Sequence, residues 1–188
     1  MFKCLNVKKN KGFSLIEMLV VVLIFTIVMG IAMGVFTSAL KLQRYNLAYQ
    51  QLLSQVSYAM EYMDRSIRMA VEENGSFGCI GAGQNYQNSG GPGGLSSIKF
   101  VNYKGQCQQF YLSANQLMSL NTAIFATELP LISSDFKVTT LIFRPMGESG
   151  SDFVQPRVTI VMEIEANTIP PKPKIRIQTT ISQRNLDM

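Results

Sequence analysis

Positions 18 to 40, twenty-three residues lying between Glu17 and Lys41, carry no charge and are filled mainly by Val, Leu, Ile, Met, Phe, Gly and Ala. About 20 apolar residues in a helix rise roughly 30 Å, the thickness of a bilayer's hydrocarbon core. From Val20 to Val28 the run has no polar face, so the pattern predicts a membrane span and not an amphipathic helix. Past Leu40 the composition turns polar while the period stays helical. Leu42, Tyr45, Tyr49, Leu52, Val56, Met60, Met63, Ile67 and Val71 follow in steps of three or four, which places them on one face. The first proline is Pro92, and Asn74-Gly75 offers a stop. The expectation is one helix from Phe13 to Glu73, roughly 90 Å long, with an apolar first part (13–40) and an amphipathic second part (41–73). Met60→Asp in the stripe is expected to cost several kcal/mol.

Residues 74–97 break the composition: eight of the fourteen glycines fall there, around Gln84-Asn85-Tyr86-Gln87-Asn88-Ser89. With no strand before it and no Gly-Lys-Ser/Thr after it, this is a loop and not a phosphate cradle. From 98 the period becomes two. Ile98 and Phe100 alternate with Lys99 and Val101, Lys104-Gly105 reads as a turn, and Gln106 to Leu112 as the returning strand. Residues 114–134 fit irregular structure or short strands equally, with Ser133-Ser134-Asp135 as a turn. A strand from Lys137 to Arg144 is expected to stop at Pro145 and Gly147. Val158, Ile160, Met162 and Ile164 mark one strand's apolar face, and Ile175, Ile177, Thr179 and Ile181 the next one's, with a stiff Pro170-Pro171-Lys172-Pro173 connection between. The fold class predicted is α+β: a long N-terminal helix packed on an antiparallel β-sheet built from residues 98–188.

Glu17 departs from the apolar pattern. An ionisable side chain at membrane depth is costly and marks a function unless it is partnered or solvated. No cation lies within the span, so Glu17 either sits at headgroup level in water or receives a positive charge from outside its own helix. Lys3, Lys8, Lys9 and Lys11 precede the span with no acid among them, which keeps that flank cytoplasmic and sends the rest across.

Lys11-Gly12-Phe13-Ser14-Leu15-Ile16-Glu17, after a lysine-rich leader and before an uncharged run, resembles the class III signal of type IV pilins and pseudopilins. The resemblance covers the leader and the helix. It implies that a prepilin peptidase cuts after Gly12, that the new N-terminus on Phe13 is methylated, and that Glu17 pairs with the N-terminal amine of a neighbouring subunit during assembly. Ala32-Met33-Gly34 and Thr37-Ser38-Ala39 mimic ordinary signal-peptidase sites, but the apolar region before them exceeds the usual length. Loss of residues 1–12 removes four lysines, so the formal charge of +5 becomes 5 − 4 = +1 and makes no case for nucleic acid. It also removes Cys4. Cys79 and Cys107 then remain as an exported pair, either disulfide-bonded or as two buried thiols. Gly30 and Gly34, four apart, offer a close-packing face or a point where the helix bends, or simply reflect the abundance of glycine in membrane helices.

The chain has no histidine and no tryptophan. Two cysteines without histidine do not make a usual zinc site, and no nucleophile–base constellation stands out, so neither catalysis nor a cofactor is expected. Glu163 and Glu165 share a strand face as surface carboxylates commonly do. Ser149-Gly150-Ser151-Asp152 reads as a solvated turn, and Arg65, Arg68, Lys172, Lys174 and Arg176 as solvated faces interleaved with acids. The resemblance implies a minor pilin or a pseudopilin similar to the J-type of type II secretion. Its expected partners are other pilin or pseudopilin subunits, the prepilin peptidase, an inner-membrane assembly platform and the lipid bilayer. Its place is the inner membrane, single-pass, with the C-terminal domain periplasmic or extracellular. The alternatives are a DNA-uptake or adhesive subunit and a membrane-anchored domain that never polymerises.

Overall fold

The computed structural model describes residues 12–89, 95–122, 127–150, 154–167 and 172–184. Residues 1–11 with their lysines and Cys4, the glycines at 90, 91, 93 and 94, Ser151-Asp152, Pro170-Pro171 and residues 185–188 lie outside them. The chain divides into two compact units, Met1–Arg44 and Tyr45–Met188.

In the first unit the helix α1 (Leu15–Arg68) begins. Ser14 stands at its N-cap, with its carbonyl accepting the amide of Met18 at 3.2 Å. Every residue from Leu15 to Leu40 is exposed, and this part is long and apolar enough to cross a membrane. Its hydroxyls are turned inward. Thr26 donates to the Leu23 carbonyl at 2.8 Å, and Thr37 and Ser38 donate to that of Gly34 at 3.0 and 2.9 Å, which removes unpaired donors from an apolar surface. The helix runs through Gly30 and Gly34 without interruption, and a Cβ on either would meet nothing within 4 Å.

In the second unit, α1 buries Leu52, Val56, Ala59, Met63 and Ile67. The helix ends at Arg68, short of the expected Glu73. Val71 has left it to bridge Val101, its amide donating to that carbonyl at 3.0 Å, so a sheet partner replaces the next helical turn. Met60 is also displaced from its expected place: it lies at the edge of the core, and Ala59 takes the buried position. An Asp at 60 therefore reaches water. Met60→Asp is expected to cost only about 1 kcal/mol, and a thermal melt of the full chain in detergent checks it.

The β residues form two sheets where one was expected. β1 (Gln87–Ser89), β2 (Ser97–Val101), β3 (Cys107–Ser113), β4 (Gln116–Asn121) and β5 (Thr127–Pro130) make a sequential antiparallel meander. β6 (Phe136–Met146), β7 (Arg157–Ala166) and β8 (Lys174–Ser182) make a second one. The first strand thus falls inside the glycine-rich segment, and 114–134 resolves into two strands. β3 and β4 meet at Ala114-Asn115, both with positive φ (48° and 63°), the two-residue geometry that matches strand twist. Pro145 does not stop β6 but sits within it. β6 is an edge of its sheet, where a missing amide is tolerated. The core joins the helical stripe to the inward faces of both sheets, with Phe100, Phe110, Phe143, Ile160 and Met162 at its centre. Phe110 meets Phe100 at 5.7 Å and the edge of Tyr62 at 6.0 Å.

Candidate functional site

Gly12, Phe13 and Glu17 occupy the entrance to α1. Gly12 and Phe13 precede the helix and are exposed, and Glu17 is in its first turn. Ser14 at the N-cap with Glu17 three residues on is a capping-box spacing, and a carboxylate there also meets the positive end of the helix dipole. The local helix thus favours an acid at this position in its own right. Even so, the Glu17 carboxylate has no hydrogen-bond or ion-pair partner among the described residues. It stands exposed at the head of an apolar surface, with its accepting capacity unused.

Cys79 and Cys107 are joined, with Cα atoms 5.3 Å apart, within the range a disulfide needs. The bond ties the loop after α1 to the first residue of β3. Cross-linking residues 28 apart in sequence stabilises by about 3 kcal/mol through the unfolded chain. Next to it lies a group that the sequence reading passed over. Glu73 is fully buried. One carboxylate oxygen accepts the amides of Gly75 (3.0 Å) and Phe77 (2.9 Å), and the other accepts that of Cys79 (2.9 Å). Gly75 and Gly78 take positive φ (85° and 65°), which lets the backbone curl round the acid. Burial works to raise the carboxyl's pKa, but the amides of Cys79, Phe77, Gly75 and Ile80 outweigh it, and the pKa lies below the usual range. The only sequence signal was an acid directly before Asn74-Gly75.

The remaining charged candidates are mostly paired. Arg65 bonds Glu61 at 2.5 Å and Arg68 bonds Asp64 at 3.0 Å; at the surface such pairs contribute little. Lys174 is bonded to Glu163, which also accepts from Thr139. That ammonium holds the Glu163 carboxyl below its usual range, and the carboxylate raises Lys174 in turn. Glu163 is therefore one member of a surface ion pair, and Glu165 lies opposite Lys174 in register. Of the expected polar turn, Ser149 bridges Gln84, and the Gly150 amide donates to the Gly83 carbonyl at 2.8 Å; this end of the turn is docked rather than free. A Cβ on Gly150 would lie 2.5 Å from the exposed Glu72 carboxylate, which would have to swing aside to admit it. No three Cys, Asp or Glu side chains among the described residues converge to hold a metal ion. Gln183 is buried. Its amide donates to the Ala70 carbonyl at 2.6 Å, and the backbone amide of Arg184 donates to that of Arg68 at 2.8 Å. Together they satisfy carbonyls at the C-terminal end of α1.

Residues 7–33 match the family model described as the prokaryotic N-terminal methylation motif. No curated protein and no solved structure matches the chain. The matched segment contains Gly12, Phe13 and Glu17 and the apolar run as far as Met33. With the long helix and the antiparallel sheets, it supports a type IV pilin-like protein whose apolar helix fits membrane anchoring.

Proposed function

We propose that the chain is a minor pilin or pseudopilin, similar to the J-type subunits of type II secretion, and that it acts as a structural subunit and not as an enzyme. It is made with a cytoplasmic leader, cut after Gly12 by a prepilin peptidase, methylated on Phe13 and held in the inner membrane by the apolar part of α1. An assembly platform then draws it into a filament of related subunits. The observation that carries this reading is the methylation motif over residues 7–33, leading into an apolar helix whose first-turn acid has no partner within the described chain. Cleavage creates an amine on Phe13, and a neighbour's amine supplies the cation that Glu17 lacks.

The reading is tested at its first step. Gly12→Val is expected to leave the uncut chain in the membrane, as is loss of the peptidase. Intact-mass measurement of the mature protein should place its N-terminus at methylated Phe13. A mature N-terminus after Gly34 or Ala39 would mean an ordinary signal peptide and defeat the reading.

A further inference from the structure

The strand edges of this domain are closed or short, with one exception. β1 has three residues, and the side-chain amide of its middle residue, Asn88, donates to the Phe143 carbonyl. β5 has four residues and ends in Pro130. The outer edge of β6 is met by other chain segments: the Val138 amide donates to the Asn115 carbonyl and the Phe143 amide to that of Leu95. β8 is different. It runs nine residues in unbroken register with β7, contains no proline, and pairs with no strand on its other side among the described residues. Folded proteins blunt such edges with bulges, prolines, charged side chains or a covering element; among the described residues β8 has only the charges of Lys174 and Arg176.

We propose that the outer edge of β8 docks an extended segment of another protein chain, one whose residues alternate acidic and apolar, as an added antiparallel strand. The two faces of β8 define that alternation. On one face Lys174 and Arg176 are exposed, with Lys172 exposed just before them. Their acids, Glu163 and Glu165, stand one strand further in, and Lys174 reaches back to Glu163, so Lys172 and Arg176, which form no ion pair among the described residues, supply the outward positive charge. On the other face Ile175 and Ile177 pack against the core yet remain half-exposed; the apolar layer runs out at this edge and an added strand would extend it. A strand laid beside β8 places alternate side chains opposite these two rows. Such strand addition takes affinity from the backbone and specificity from alternate side chains.

The same features exclude other occupants. A DNA backbone offers acceptors only, whereas the edge presents carbonyls as well as amides and would leave them unmet. A second copy of this chain would bring a like-charged edge against this one. The site lies in the β domain and makes no use of Gly12, Phe13 or Glu17, so it stands or falls apart from the proposed function.

The experiment uses the full chain in detergent micelles and a labelled peptide of the length of β8 that alternates Glu and Val. Saturable binding is expected, weakening with salt, with slowed exchange of β8 amides. A Lys-Val peptide is expected to bind roughly tenfold or more weakly. Peptides N-methylated at alternate amides, in the register that faces β8, are expected to lose binding as well. The double variant Lys174→Glu/Arg176→Glu should prefer the Lys-Val peptide, a gain that misfolding does not produce. Absence of binding by either peptide, or equal binding of both N-methylated registers, would overturn the proposal. So would tighter binding of a single-stranded oligonucleotide of equal charge, or self-association through β8 that the peptide fails to displace.

Discussion

Glu17→Ala is expected to insert and be cleaved as the wild type is, yet to enter filaments roughly tenfold less or worse. The reason is a charge count at the membrane surface. Cleavage as proposed would leave an ammonium on Phe13 one helical turn from the carboxylate, free to pair with it within one subunit or between two. On the proposed function, each carboxylate would accept one neighbour's amine, which would fix an axial step while the apolar helices cover one another. A buried ion pair need not add net stability, so its contribution is register. Glu17→Asp, shorter by a methylene, keeps the charge but not the reach and is expected to be partly defective. Cysteine cross-linking between neighbouring apolar helices, compared at equal protein levels, reads the effect. Equal cross-linking in wild type and Glu17→Ala would remove Glu17 from assembly and favour an anchored domain that does not polymerise.

The second large effect is expected within the folded domain. Glu73→Leu leaves the amides of Gly75, Phe77 and Cys79 without their acceptor in a buried place. Each such donor costs about 1–3 kcal/mol if it stays buried. Some of them escape as the loop loosens, so a loss of about 3 kcal/mol in total is a fair expectation. Glu73→Gln keeps the size but must aim an NH2 at one of these amides, and is expected to lose less. The pH dependence has a defined sign. The folded carboxyl lies below its unfolded value of about 4.3, so its stabilisation is complete above that value and is lost as pH falls through the folded one. The gap in melting temperature between wild type and Glu73→Gln, measured in detergent from pH 7 to pH 3, should therefore narrow on acidification. A gap that widens would show that Glu73 is not held as a carboxylate.

Why Glu73 was invisible in the sequence bears on what a single chain reveals. An acid near a helix end is ordinarily solvated, and only the backbone path of 75–79 turns it into the centre of a cage. The apolar run was legible from its length and unbroken composition, and the alternation of β7 and β8 because burial on one side imposes a period. The turn at Lys104-Gly105 was legible because Gly105 takes the positive φ, 74°, that glycine tolerates. The turn at Ala114-Asn115 was hidden because alanine there gives no sign of the same backbone, and with it went β4 and β5. Alternation also tells which face a residue occupies but not which sheet its strand joins, hence one sheet expected and two found. The candidate site at the entrance to α1 is read from one short local segment. The absence of a partner for Glu17 within the described chain needed the structure.

The bond from Gln183 to the Ala70 carbonyl joins residues 113 apart in sequence, and this sets a clock. A chain is made N-terminus first at roughly 5–20 residues per second. The carbonyls of Arg68 and Ala70 thus wait on the order of ten seconds after their own synthesis for their donors to exist. During that interval β7 lacks β8, and the helical stripe faces an incomplete cover. Contacts this distant along the chain form late and slowly. The domain therefore cannot close before its last strand is delivered, and a product broken off before Gln183 leaves the end of α1 open to water and proteases, marking itself for removal.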